Sequence, residues 1–296
     1  MIRVTQFSDT HFSTSGERSH GGFGYDTDDA WDTVLAHAFA GEHPDLVVVT
    51  GDIADHGKAD EYTKAAAQLT RMPVSANVCI GNHDTHVAFE AGLPRPGLTM
   101  SRTLRLGSWL FLFADSNHPG RELGPDGRLR DRPDRIEFNG GFGPHEREWI
   151  ADTIAATDAD YAFVWTHHPP LAPASMRQPA YDDEAAELLR RHDTLRGFGC
   201  GHTHTDTREE LHGRPIFTCP AFTLNIDFAA MTTLPPGYRT YEFHDDGTVA
   251  STCHLFDDAR WPRFPLPQPA VQWILGEIGW DELIASLGSP RVGPHD

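Results

Sequence analysis

Five short polar clusters punctuate the chain in a fixed order: Asp9-Thr10-His11, Gly51-Asp52, Gly81-Asn82-His83-Asp84, His167-His168 and Gly201-His202-Thr203-His204. Their side chains supply carboxylate oxygen, amide oxygen and imidazole nitrogen, the donors that hold divalent transition metals. Residues two apart in an extended chain point the same way, so Asp9 and His11 can face one ion, and His202 and His204 lie on one side of an extended turn. Asp52 follows a glycine that permits a sharp turn, and its two oxygens can bridge a pair of cations. Asn82 offers a neutral carbonyl. Its neighbour His83 points elsewhere and can serve as a proton donor, with Asp84 placed to accept from the imidazole and fix it. His167 and His168 face opposite ways; His167 is taken as the ligand and His168 as a core or supporting alternative. Any one cluster also reads as a polar turn or a helix cap. Five of them at strand ends read as one metal centre.

Each cluster closes an apolar run of strand length, at residues 2–8, 45–50, 74–80, 161–166 and 195–200. Between these runs, apolar residues recur at helical spacing over 27–40, 58–72, 144–156 and 183–192. Residues 103–106 and 108–114 predict a hairpin. Short strands follow at 207–211, 215–219, 238–244 and 248–256, with Asp245-Asp246-Gly247 as a hairpin turn. Alternation early and hairpins late predict an α/β fold, a layered αββα sandwich of two mixed β-sheets flanked by helices. Ligands at strand C-terminal ends suit such sheets. Residues 117–143 lack periodicity and carry Arg121, Arg128, Arg130, Arg132 and Arg135, read either as phosphate contacts or as a solvated loop neutralised by Asp126, Asp131 and Asp134. Phe142, Phe222 and Asn225 are candidate pocket walls. Residues 1–256 are read as the catalytic domain. Residues 257–296 are read as a Pro-rich and helical extension, with helices at 271–278 and 281–287, serving as an accessory element or a dimer contact.

The 296 residues carry a net charge of -19, which argues against nucleic acid as a partner, because polyanion binding relies on Lys and Arg. It leaves small phosphate esters open, since two bound cations would reverse the local field. Cys79, Cys200, Cys219 and Cys253 are widely spaced and form no disulfide framework. No apolar run is long enough to span a membrane, and the first residues lack the pattern of a secretory leader. The expected compartment is therefore the cytoplasm.

Taken in order, Asp-x-His, Gly-Asp, Gly-Asn-His-Asp, His-His-Pro-Pro and Gly-His-x-His resemble the calcineurin-like metallophosphoesterase superfamily. The form is most similar to its bacterial class III cyclic nucleotide phosphodiesterases and glycerophosphodiesterases. The resemblance runs over residues 2–256. It implies one metal held by Asp9, His11, Asp52 and His204, and a second held by Asp52, Asn82, His167 and His202, with Asp52 bridging. It implies His83 as general acid, oriented by Asp84. Two such ions, Mn, Fe or Zn, can deprotonate a bridging water and clamp phosphoryl oxygens. The expected function is hydrolysis of a small diester such as a 3',5'-cyclic nucleotide. Phosphomonoesterase and glycerophosphodiesterase activity are the alternatives. A nuclease would need a more basic surface, and a non-catalytic scaffold would lack some of these residues. A homodimer through the tail is the expected assembly.

Overall fold

The computed structural model describes residues 1–15, 25–118, 121–123, 129–131, 140–171 and 181–287. In chain order, β1 (Ile2–Phe7), α1 (Thr27–Ala38), β2 (Leu46–Thr50), α2 (Ala59–Leu69), β3 (Ala76–Cys79), α3 (His86–Gly92) and β4 (Leu98–Thr99) come first. Next are β5 (Thr103–Leu106), β6 (Trp109–Phe113), β7 (Arg121–Leu123), β8 (Leu129–Asp131), α4 (Gly143–Ala156), β9 (Tyr161–Trp165), α5 (Asp182–Arg191) and β10 (Leu195–Cys200). They are followed by β11 (Thr207–Leu211), β12 (Arg214–Thr218), β13 (Asn225–Asp227), β14 (Thr232–Leu234), β15 (Gly237–Phe243), β16 (Val249–Leu255), α6 (Gln268–Ile274) and α7 (Trp280–Leu287).

Two six-stranded sheets result, in the orders β16-β15-β1-β2-β3-β4 and β11-β12-β10-β9-β6-β5. The strands carrying the polar clusters run parallel within each sheet, β1 with β2 and β3, and β9 with β10. Antiparallel β15, β16, β11 and β5 lie toward the edges. The layered α/β sandwich expected from the alternation is what forms.

Three apolar layers hold it together. Between the sheets, Val4, Leu46 and Val48 meet Trp109, Phe111, Phe163 and Trp165. Phe243 packs edge-on against Trp109 at 4.8 Å and Phe111 at 4.9 Å, the geometry aromatic quadrupoles favour. Outside the first sheet, Trp31 and Val34 of α1 and Tyr62, Ala65 and Leu69 of α2 cover Phe7, Val47 and Val49. Outside the second, Ile150 and Ile154 of α4 and Leu188 and Leu189 of α5 cover Leu112, Val164 and Phe198. Asp26 caps α1 by accepting from the backbone N–H groups of Asp28 and Asp29.

Several expectations change in detail. Helix α3 and the hairpin β13–β14 were not anticipated. Within the aperiodic segment, β7 and β8 pair antiparallel; Arg121 and Arg130 stand on them, while Arg128, Arg132, Arg135, Asp126 and Asp134 lie outside the described residues. Phe142 and Phe222 are core residues rather than pocket walls. Phe142 is buried against Tyr181 and Phe198, and Phe222 against Phe7 and Trp31. Asn225 is structural too: its amide donates to the carbonyls of Ala221 and Pro235 and accepts from the Ala221 N–H. In the tail, Leu266, Val271 and Ile274 pack on Phe228, Ile226 and Met231 of the β13–β14 region. All four cysteines are free, and three are buried. No helix among the described residues is long and apolar enough to cross a membrane.

Candidate metal centre

The five clusters lie just beyond the ends of β1, β2, β3, β9 and β10, and the two sheets bring those ends together. Asp9, His11, Asp52 and His204 each present a ligand atom within 4.8 Å of the others, and all four are buried. Nε2 of His204 is 3.3 Å from Oδ1 of Asp9, and Nε2 of His11 is 3.7 Å from Oδ2 of Asp52. The same oxygen of Asp52, Oδ2, lies 3.3 Å from Nε2 of His167. Oδ1 of Asn82 is 2.9 Å from Nε2 of His167 and 3.0 Å from Nδ1 of His202. Two ligands sharing an ion at bonds of about 2.1 Å stand about 3.0–3.5 Å apart. The donor set and its spacing therefore fit two divalent ions, with Asp52 between them.

The backbone bends unusually to achieve this. Asp9, His11, Asp52, His202 and His204 have φ of 51°, 44°, 48°, 70° and 49°. This left-handed region costs an L-residue roughly 1–2 kcal/mol. Among the described residues, only His212 and Met231 are further non-glycine cases, so the strain concentrates on the candidate ligands, as at functional sites generally. The flanking glycines admit the close approach. A Cβ on Gly81 would overlap the backbone nitrogen and carboxylate of Asp52, and one on Gly201 would overlap Ser8 Oγ.

Three imidazoles share one orienting device. Nδ1 of His167 donates to the Thr50 carbonyl at 2.7 Å, and Nδ1 of His204 to the Leu224 carbonyl at 2.7 Å. Nδ1 of His11 faces Oδ1 of Asp55 at 3.1 Å. Anchoring Nδ1 in this way fixes the ring and turns the Nε2 lone pair inward. His168 joins His167 and His202 in a second group of converging donors, with Nδ1 2.8 Å from Ser116 Oγ and the ring 4.3 Å from that of His202.

His83 stands beside the candidate ligands. Its backbone N–H donates to Oδ1 of Asp52 at 2.9 Å, and its ring meets His11 edge-on at 4.8 Å. Nδ1 donates to the Asp55 carbonyl at 2.9 Å, so the orienting contact expected from Asp84 is supplied there by the main chain. Asp84 instead accepts from the N–H groups of Ile53, Ala54 and Gly81 and from the Tyr62 hydroxyl. It ties the Asp52 turn to the Asn82 turn. Asp55, whose carboxylate and carbonyl serve His11 and His83, escaped the sequence reading. Its one signal is a second carboxylate three residues beyond Asp52.

Electrostatics follow from burying carboxylates among imidazoles. Burial alone would raise Asp9, but His204 and then His167 outweigh it and hold it at about 2. Asp52 is likewise held well below the carboxylate range: burial opposes ionisation, and His167 and His83 overcome it. Burial would lower His11, but the bond to Asp55 and the charge of Asp52 lift it to about 9. His167 is raised to about 9 by Asp52 against the same burial. His202 goes the other way, to about 3, through burial and the neighbouring His167. The pocket is thus a field that draws positive charge.

A family model described as calcineurin-like phosphoesterase matches residues 2–206. The chain belongs to the calcineurin-like phosphoesterase family. Among curated relatives, the 3',5'-cyclic adenosine monophosphate phosphodiesterase CpdA of Escherichia coli (strain K12) is 27% identical over 270 residues, which cover 88% of this chain and 92% of the relative. The glycerophosphodiester phosphodiesterase GpdQ of Enterobacter lignolyticus (strain SCF1) is 26% identical over 303 residues, covering 98% and 99%. A solved dimetal phosphatase from Danio rerio matches with a TM-score of 0.59 and 16% identity, covering 89% of this chain and 98% of that one, a likeness of fold. The calcineurin-like phosphoesterase match spans all five clusters and ends before β11, so β11–β16 and the tail lie outside it.

Proposed function

We propose that the chain is a dinuclear metal-dependent phosphodiesterase acting on a small diester, with a 3',5'-cyclic nucleotide as its first substrate class. Asp9, His11, Asp52 and His204 would hold one ion, and Asp52, Asn82, His167 and His202 the other, with Mn, Fe or Zn suiting the mixed donors. When bound, the pair supplies Lewis-acid charge and an activated water for in-line attack on phosphorus. The observation that carries this reading is the convergence of oxygen and nitrogen donors on both sides of Asp52, with His83 held next to them.

His83 does the remaining chemistry. An alkoxide is a poor leaving group and gains most from a proton delivered as the P–O bond breaks. Nδ1 donates to the Asp55 carbonyl, and Nε2 is the atom that would deliver that proton. Asp84 acts further back, by holding the turn on which His83 rides.

Ranking the metal-loaded protein by kcat/KM on cyclic AMP, a glycerophosphodiester, bis-p-nitrophenyl phosphate and p-nitrophenyl phosphate tests the proposal; a clear preference for the monoester overturns it. His83→Ala should lower kcat on cyclic AMP by about 10²–10⁴-fold with metal content unchanged. The loss should be much smaller with a p-nitrophenolate leaving group, which needs no proton. Equal losses on both substrates would remove His83 from the role. A glycerophosphodiester is the second reading, favoured by the near full-length match to GpdQ, which includes the tail. We also propose the cytoplasm as the compartment and a tail-mediated homodimer, which sedimentation of a form lacking residues 257–296 would test.

A further inference from the structure

The loop that carries His202 and His204 is pinned at both ends to the opposite sheet. At its start, the Gln6 side-chain amide donates across the interlayer gap to the Cys200 carbonyl at 2.9 Å and, within its own sheet, to Thr50 Oγ1 at 2.7 Å. At its end stands Arg239, the register partner of Gln6 on the neighbouring strand β15. Arg239 is 4% exposed and, among the described residues, is the one Lys or Arg in the buried set. Its guanidinium pairs with the Asp206 carboxylate, two residues past His204. It also donates from Nε to the Thr218 carbonyl at 3.1 Å, from Nη1 to Ser251 Oγ at 3.0 Å and from Nη2 to the Thr207 carbonyl at 3.4 Å. The ring of Phe217 lies beneath it, 5.5 Å from the guanidinium carbon.

An apolar residue would fill this place in an aromatic interlayer at lower desolvation cost. What the guanidinium adds is geometry: a planar fork with fixed donor directions that reads several acceptors at once. Those acceptors sit on β11, β12, β16 and the turn after His204. The first sheet carries Asp9 and Asp52, while the second carries His167, His202 and His204. The 3.3 Å separation of His204 Nε2 from Asp9 Oδ1 is therefore a distance between sheets, bridged locally by the His202 N–H, which donates to the Asp9 carboxylate at 3.0 and 3.2 Å.

We infer that Arg239, with Asp206, is a positioning residue that sets the register between the sheets and thereby places His202 and His204 against Asp9 and Asp52. The inference rests on the reading of those residues as metal ligands. Loss of a partner that orients a ligand costs about 10–100-fold in metal affinity. Arg239→Met should weaken binding of Co(II) to the metal-free full-length chain at least tenfold and alter the visible absorption of the bound ion, with KM for bis-p-nitrophenyl phosphate unchanged once metal is saturating. Arg239→Lys, a point charge without the fork, should recover only part of the affinity. A merely structural arginine would lower the unfolding temperature while the folded protein kept its parent affinity and spectrum, and that result overturns the inference. Should Arg239→Met fail to fold, Asp206→Asn decides: it should weaken Co(II) binding at least threefold, and parent-like affinity refutes the clamp. His204→Ala is the control. If it binds two Co(II) ions as the parent does, the ligand reading fails rather than the clamp.

Discussion

Asp55 shows how one residue can serve two histidines of the candidate centre at once. Its carboxylate takes the Nδ1 side of His11, and its carbonyl takes Nδ1 of His83, so one side chain and its own main chain orient a candidate ligand and the proposed proton donor. The two duties can be dissected. Asp55→Ala keeps the carbonyl and removes the carboxylate, so metal affinity should fall about 10–100-fold. Asp55→Asn retains an acceptor without charge and should fall in between. The contrast between phenolate and alkoxide leaving groups should persist in both variants at saturating metal, since His83 is untouched. Its disappearance in steady-state kinetics would show that the two duties are not separable. Residue types were legible because a metal ligand must be one of few side chains. The carbonyls of Thr50, Leu224 and Asp55 carry no letter in the sequence, which is why Asp84 was given an orienting contact that the main chain supplies.

Elements decide how closely the clusters can approach. The turn after β3 passes so near the turn after β2 that Gly81 has no room for a side chain against Asp52. Asp84, with its donors on both turns, seals the junction. Gly81→Ala should push the Asp52 carboxylate aside, lowering metal stoichiometry by elemental analysis and costing about 1–3 kcal/mol of stability. Full metal content with parent stability would contradict the packing described. The parallel strands that carry the clusters are readable from the sequence because they are apolar runs stopped by Gly, Asp or His, and β10 and β11 have the expected limits. Helix α3, at seven residues, is too short for a periodic signal. Phe142 and Phe222 read equally as wall or core, since an aromatic after a loop suits both, and only burial separates the cases. Arg239 stood unnoticed in a strand because its partners are distant in sequence.

At the scale of the whole molecule, the buried charges make stability depend on pH in a way that metal should abolish. His11 and His167 have folded values near 9 against 6.5 unfolded, so their contribution to the metal-free chain is complete below 6.5 and vanishes as pH rises through about 9. Asp9, held near 2, contributes above 3.8 and loses that contribution as pH falls toward 2. His202, held near 3, costs stability as pH falls below 6.5. The unfolding temperature of chelator-treated protein should therefore decline between pH 7 and 9.5. The reconstituted protein, in which these imidazoles would be neutral ligands, should show no matching decline. Parallel slopes for the two forms would contradict these assignments.

The division of ligands between two sheets has one more consequence. A sandwich of this kind is glued through its interior by greasy rings, but at the mouth the layers meet through polar groups. Ions seated there would act as rivets through two plates, so the catalyst and the fastener would be the same object. Selection on turnover would then also be selection on how firmly the open end of the molecule stays shut.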